Sequence, residues 1–254
     1  TFYEGTAYFS QFKTEGGDPI FWRNVLDYGD KNDVNGNGMA TPELIVPSGV
    51  GYSVPRLGNG IYAPIRSQSI YTLNNTSVLG AKFDLTHQLE NHEFRTGFEY
   101  RHNTIRRYDV QGSRLAALYE NDPNTDPVLA ARAAYTENFG YPVYFDNWEV
   151  DPSETYDEGL DAAKNPIIAA AYIQDKIELA DLVLNLGLRW DYVNANDKRL
   201  VDPYDVGIKS GLIDEATLED TEAHLTISPR LGISFPVTDK TVFHGQFGKF
   251  VQQP

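Results

Sequence analysis

Three absences narrow what this chain of 254 residues can be. It contains no cysteine, which excludes disulfides and thiolate chemistry. Its longest apolar stretch, roughly residues 166–173, is too short for a transmembrane helix, which needs about 18 to 20 apolar residues. No GxxxxGK(S/T) phosphate loop, GxSxG elbow or HExxH zinc motif occurs, and the five histidines lack a metal-ligand spacing. The sequence therefore predicts that the protein is not an enzyme.

Basic residues are also scarce, because 21 Lys and Arg face 36 Asp and Glu for a formal net charge of −15. Binding nucleic acid through its phosphates requires a cationic surface, so we expect no nucleic-acid partner. The chain opens on a polar and aromatic segment without a basic and then apolar leader. We therefore expect a mature or internal piece of a longer protein.

Alternating apolar residues are abundant. Every second residue from Leu182 to Tyr192 is large and apolar, and most of the residues between them are polar, small or charged. Such a strand can meet hydrocarbon on one face and water on the other. The same period of two recurs in residues 79–85, 94–100, 167–173 and 225–235, and more weakly in 3–9 and 243–247. With 16 Tyr and 13 Phe, the chain is suited to β-strands and interfacial aromatic girdles.

These patterns predict seven strands, each of about nine to eleven residues, the length that crosses a bilayer at a tilt. The predicted connections alternate between tight turns (88–92, 179–182 and 236–241) and long loops (13–75, 108–165 and 194–223). Outer-membrane barrels combine short periplasmic turns with long extracellular loops, whereas soluble domains rarely carry several such loops. We therefore predict an all-β fold, an antiparallel transmembrane β-barrel region that covers residues 1–254 in the bacterial outer membrane.

Local signals predict some further structure. Asp126 followed by Pro127 is a favourable helix start, so a short helix is expected to run towards Asn138. Residues 207–220 are expected to hold a second helix. Pro229 interrupts a predicted central strand and removes one ladder donor, which suggests a bulge or a local bend.

Three stretches resemble the barrel of TonB-dependent outer-membrane receptors, nearest to the Oar-like group. They are Thr76 to Tyr108, Asn165 to Val193 and Ile227 to Phe250, with the motifs YIQDKIE, LGLRWDY and SPRLGISFPV. The resemblance implies a barrel of 22 strands around a globular plug, which imports large or scarce nutrients on energy from the TonB complex. Seven strands are too few to close such a barrel, and the sequence shows no plug domain or TonB-contact segment. We therefore expect a fragment of a larger receptor that contacts TonB through parts absent from this chain.

The first long loop contains a candidate calcium site. Asp33, Asn35 and Asn37 occupy the first, third and fifth positions before Gly38, as at the start of an EF-hand loop. The acidic residue, Glu43, comes one position earlier than the last ligand of an EF-hand loop, and asparagine supplies less charge than aspartate. We predict a modest Ca²⁺ site with these ligands: Asp33, Asn35, Asn37, the Met39 carbonyl and Glu43. The alternative is an Asn/Gly-rich turn without an ion.

Charged residues form two further groups. An acidic run in the second long loop can attract cations, although a solvated loop is the favoured interpretation; its members are Asp146, Glu149, Asp151, Glu154, Asp157, Glu158 and Asp161. The second group alternates with the apolar strand residues and is expected to face the lumen: Lys82, Asp84, Arg95, Glu99, Arg101, Arg189, Asp191 and Arg230. Pairing with each other or with a plug is expected rather than substrate contact.

The sequence thus predicts a TonB-dependent transporter that captures an unidentified ligand with its extracellular loops. The barrel is expected to contact outer-membrane lipid. A surface lipoprotein is a candidate partner. One alternative is an outer-membrane anchor for adhesion or assembly, without transport. Another is a soluble β-sandwich that binds calcium or carbohydrate. A plug and a TonB-contact segment in the parent gene would favour import over the anchor.

Overall fold

Seven long antiparallel strands form the main sheet of the computed structural model, which describes residues 1–17, 22–28, 70–134, 136–204, 207–209, 212–238 and 240–250. In chain order the long strands are β1 (Phe2–Gly16), β2 (Tyr71–Leu89), β3 (His92–Val110), β5 (Ile167–Leu179), β6 (Leu182–Asn194), β11 (His224–Thr238) and β12 (Thr241–Gly248). Each pairs with the next, and β1 and β12 are the two edges of the open sheet. The predicted number and order of long strands are confirmed.

The remaining elements are short. β4 (Glu137–Phe139) extends the sheet beside β3, and two small ladders pair β7 (Lys198–Leu200) with β10 (Leu218–Asp220) and β8 (Ile208–Lys209) with β9 (Leu212–Ile213). The helices are α1 (Gly112–Asn121), α2 (Pro127–Ala133) and two single 3₁₀ turns at Val25–Asp27 and Glu215–Thr217. Among the described residues, no helix is long and apolar enough to cross a membrane.

The tight turns all lie at one end of the sheet. β2 and β3 are joined through Glu90 and Asn91, and Glu90 adopts a left-handed backbone with φ of 49°. β5 and β6 are joined through Ala180 and Asp181. We call this the hairpin end and the opposite end, where the long connections emerge, the loop end. β2 and β3 have 19 residues each against 13 in β5 and in β6, so β2 and β3 project furthest at the loop end.

The two faces of the sheet differ sharply in chemistry. Continuous antiparallel registers place residues directly opposite one another on the same face, as in Phe83 opposite Phe98 and Leu186 opposite Leu231. We call the side that carries these residues the apolar face. Its side chains are exposed although they are hydrophobic, for example Phe98 at 50% and Ile227 at 49%. No second sheet covers this face among the described residues, so the hydrophobic strand residues do not form a sandwich core.

Three local predictions need correction. Within 207–220, the described residues form short strands and a 3₁₀ turn of three residues rather than a helix, and α2 ends at Ala133. Pro229 causes no bulge, because the register between β6 and β11 runs unbroken through it. Its carbonyl accepts from the Lys249 nitrogen immediately beyond the end of β12, so the missing N–H falls where the ladder stops. The register shift lies instead between Pro236 and Thr238.

The buried hydrophobic core lies at the loop end. It combines the ends of β2 and β3 with the first 3₁₀ turn, α1, α2 and residues 141–150; its members are Val25, Tyr28, Tyr71, Leu73, Tyr108, Val110, Leu115, Ala130, Ala134, Tyr141, Trp148 and Val150. We call this core and the segments around it, residues 22–28, 111–134 and 136–164, the loop-end unit. The alternation of β2 and β3 puts Tyr71, Leu73, Tyr108 and Val110 on the apolar face. The unit therefore packs against the far end of that face.

Candidate functional site

The charged strand residues lie on the face opposite to the apolar face, which we call the polar face. All eight residues that were expected to face the lumen lie there: Lys82, Asp84, Arg95, Glu99, Arg101, Arg189, Asp191 and Arg230. The placement of this set is confirmed. Arg230 also lies over the Phe250 ring, with its guanidinium carbon 5.1 Å from the ring centroid.

Ion pairs on the polar face run along single strands. Six pairs among the described residues join position i to position i+2: Lys82–Asp84, Glu93–Arg95, Glu99–Arg101, Arg107–Asp109, Lys176–Glu178 and Arg189–Asp191. The distance from Arg189 Nε to Asp191 Oδ1 is 2.9 Å. Asp191 is 3% exposed and Ser228, across from Arg189, is fully buried. These six pairs neutralise charges within single strands, and Arg107 also lies 3.2 Å from Glu137 of the neighbouring β4.

One hydrogen bond on the polar face crosses an entire strand. Tyr172 of β5 donates to Asp84 Oδ1 of β2 at 2.6 Å, and Gly97 of β3 lies between them in the register. A Cβ at Gly97 would lie 2.7 Å from both Asp84 Oδ1 and Tyr172 Cε1, and 2.6 Å from the Phe83 carbonyl oxygen. Glycine is therefore required here for the tyrosine to reach across the sheet.

Substituting Gly97 with alanine is expected to destabilise the sheet by about 1–3 kcal/mol, because the added methyl group displaces the tyrosine ring or the backbone. Gly187→Ala is the matched control, since a Cβ there meets nothing closer than 3.7 Å. Urea unfolding of the full-length protein in lipid vesicles measures both changes. Equal stability of the two variants would contradict the crossing hydrogen bond.

The loop-end unit is joined to the sheet by a partly buried triad of Arg23, Glu15 and Tyr71. Arg23 donates to both carboxylate oxygens of Glu15 at 2.7 and 3.0 Å, and Tyr71 donates to Glu15 Oε1 at 2.7 Å. These residues lie beyond the apolar strand residues, with Tyr71 eight positions before Leu79. The bond from Arg23 lowers the pKa of Glu15 against the opposing effect of burial, and burial raises the pKa of Tyr71.

Trp148 anchors the second half of this unit. Its side chain is fully buried and makes edge contacts with Phe145 and Tyr119, with ring centroids 5.1 and 6.4 Å apart. Tyr108 donates to the Trp148 carbonyl at 3.2 Å, which joins β3 to the loop. Asp126 caps α2 by accepting from the Val128 and Leu129 nitrogens, as the sequence predicted.

The acidic run is partly paired rather than wholly solvated. Arg106 of β3 donates to both oxygens of Asp157 at 2.8 and 3.0 Å, and Tyr144 donates to Glu154 at 2.6 Å. The bond to Glu154 raises the pKa of Tyr144. Within the described ranges, no group of three or more His, Asp or Glu residues could hold a metal ion.

The predicted calcium ligands Asp33, Asn35, Asn37, Met39 and Glu43 lie outside the described residues. Calcium binding there stays a prediction, and calcium titration of the full-length protein with protease protection as the readout tests it. The structure also shows a polar contact that the sequence analysis did not identify: His92 Nδ1 lies 2.8 Å from Asp175 Oδ2 on the apolar face. The alternation in residues 167–173, extended by two positions, places Asp175 on that face and could have revealed it.

Exposed hydrophobic side chains on one face and paired charges on the other define the wall of a membrane β-barrel. Residues 22–254 match the family described as an outer membrane beta barrel domain. Because this match covers most of the chain, the chain belongs to that family, and its location is the bacterial outer membrane. The barrel is partial, since the described strands form an open sheet. Membership of an outer-membrane family contradicts the alternative of a soluble β-sandwich.

The chain is similar in part to a solved structure of a receptor. It is a double mutant of the Serratia marcescens hemophore receptor HasR in complex with its hemophore HasA and heme, at 14% identity and a TM-score of 0.34. The similarity covers 70% of this chain and 24% of that one, so this chain spans about a quarter of the length of that receptor. No curated protein matches the chain.

Proposed function

We propose that the chain forms part of the barrel wall of a TonB-dependent receptor, which captures a ligand outside the cell and imports it through the lumen. The polar face is the observation that carries this proposal. Its paired charges extend from β2 to β6, and burying them against lipid would cost about 2–4 kcal/mol for each Arg or Lys near the midplane. A wall of this kind suits a wide lumen filled by water, a plug or a passing ligand.

The length of the wall also supports a large barrel. Seven strands pair in sequence order without closing, so the described strands form an arc of the wall rather than a complete small barrel. In this proposal the rest of the wall, the plug and the TonB contact belong to other parts of the receptor, and a surface lipoprotein could cover its mouth.

The loop-end unit favours a second candidate function, which is surface attachment or assembly without transport. The unit is a folded extracellular body, because long loops of outer-membrane barrels lie outside the cell. It packs on the apolar side of the projecting strands, away from the lumen. A partner on the cell surface could reach it there without entering the barrel.

Growth measurements separate the two functions. An in-frame deletion of the parent gene and a deletion of the gene for TonB would be compared with the parent strain on a panel of single carbon, nitrogen and iron sources. Import predicts a growth defect on at least one nutrient that both deletions share and that the restored gene corrects. Normal growth on every nutrient together with lost surface attachment would overturn import and support the anchor.

A further inference from the structure

The lipid-facing side of the wall changes its chemistry beyond the apolar belt, which is the part of the apolar face between Leu89 and Leu79 on β2. At a rise of about 3.4 Å per residue and a tilt of about 40°, this stretch measures about 25 Å along the membrane normal. An outer-membrane barrel has an apolar band of about this height. The belt therefore ends near Leu79, and residues of the same side further towards the loop end lie at the head groups of the outer leaflet.

Two rows of polar residues on β1, β2 and β3 occupy this level. Their β2 members lie two and four positions beyond Leu79, about 5 and 10 Å above the belt along the membrane normal. These rows contain no Asp or Glu on the three strands. We call them the head-group band; its members are Gln11, Ser77 and Thr104 in the row next to the belt and Lys13, Asn75 and Arg106 in the row beyond it.

The head-group band differs in charge from the extracellular region around it. The loop-end unit contains 12 Asp and Glu against 4 Lys and Arg. In the band, Arg106 is neutralised by Asp157 of that unit, because it donates to both carboxylate oxygens. Lys13 is exposed and forms no ion pair with a residue that the structure describes, and the neighbouring Glu15 is engaged in its triad. The band therefore presents one free ammonium group to the lipid head groups.

The residues beside Lys13 add hydrogen-bonding groups. Gln11 donates to Asn75 Oδ1 at 3.0 Å, and Thr104 donates to Asn165 Oδ1 at 3.1 Å. A side-chain amide has two N–H donors and an acceptor oxygen, so Gln11 can bind a further group while it holds Asn75. The band thus combines a cation with donors and acceptors that suit sugar hydroxyl groups.

We propose that the head-group band binds a phosphorylated glycolipid of the outer leaflet. The phosphate lies at Lys13, and sugar hydroxyl groups lie at Gln11 and Ser77. Charge complementarity selects this occupant, because the band offers a free cation and no acid, and phosphate oxygens accept charge-assisted hydrogen bonds from an ammonium group. The inference rests on the location of the barrel in the outer membrane and does not depend on import.

The full-length protein tests the proposal in phosphatidylcholine vesicles that contain equal amounts of bisphosphorylated lipid A, dephosphorylated lipid A and phosphatidylglycerol. The protein is extracted in mild detergent, and the retained lipids are quantified by mass spectrometry. We expect the wild-type protein to retain bisphosphorylated lipid A about fivefold over the dephosphorylated form, the effect of one lysine at an anionic lipid surface. Phosphatidylglycerol, which lacks the sugar, should be retained less than bisphosphorylated lipid A. Lys13→Gln is expected to abolish the preference for the phosphorylated form.

Lys240→Gln is the matched control, because Lys240 is exposed in the turn between β11 and β12 at the hairpin end, on the opposite side of the membrane. It should leave the preference unchanged. Three results would each overturn the proposal: equal retention of the two forms of lipid A, equal retention of phosphatidylglycerol and bisphosphorylated lipid A, or an unchanged preference in Lys13→Gln. If Lys13→Gln fails to fold, the wild-type comparison of the two forms of lipid A still decides the question.

Discussion

Replacing Trp148 by alanine is expected to destabilise the loop-end unit by about 3–5 kcal/mol while the strands below remain folded. The indole is fully buried, and its removal leaves a cavity against Phe145 and Tyr119. Cleavage of the loop-end unit by a protease, measured on the full-length protein in vesicles, should accelerate by about two to three orders of magnitude.

The same turn provides a control for this effect. Phe145 contacts Trp148 but is 50% exposed, so Phe145→Ala should cost only about 1 kcal/mol. If both variants were cleaved at the wild-type rate, the loop-end unit would not depend on its aromatic core. Loss of the strands themselves in the Trp148 variant would show that the unit and the wall fold as one body.

Placing arginine on the lipid-facing side is expected to cost more than placing it on the lumen side of the same strand. Ile233 and Ser234 are neighbours in β11, and their partners Leu184 and Val183 lie on opposite faces. Ile233→Arg should lower the free energy of unfolding in vesicles by about 2 kcal/mol, since the guanidinium must leave water.

Ser234→Arg is the matched change, with the same side chain one position further along. It should alter stability by less than about 0.5 kcal/mol, because its side chain points into the polar lumen. Urea unfolding of both full-length variants in vesicles gives the comparison. If Ser234→Arg lowered stability more than Ile233→Arg, the polar face rather than the apolar face would contact lipid. The import proposal would then lose its basis.

The wall could be predicted from the sequence because its period is local. Alternation over Leu182 to Tyr192 fixes which residues share a face, and a membrane barrel keeps that pattern along each strand. The same rule extends to Asp175, which shows that charge on the wrong face is as informative as hydrophobicity. The N-cap at Asp126 was also predictable, since its carboxylate and the following proline act within one turn.

The loop-end unit could not be predicted in the same way. α1 begins after Gln111, which makes no side-chain cap, so the sequence lacks a helix-start signal there. Trp148 and Tyr108 are 40 positions apart, and their contact depends on how far β2 and β3 project beyond the membrane. The predicted helix over 207–220 is wrong because residues 208–209 pair with 212–213 in a small hairpin and residues 218–220 pair with 198–200 of an earlier segment.

The pairing of acids with bases two positions apart has a consequence for motion inside the barrel. Six cations on the polar face of the wall have a counterion on their own strand, so a body that fills the channel can move or leave without leaving these six charges unpaired. Displacing such a body exchanges hydrogen bonds with water and breaks no ion pair of the wall. The affinity of such a body for the wall should therefore depend little on ionic strength.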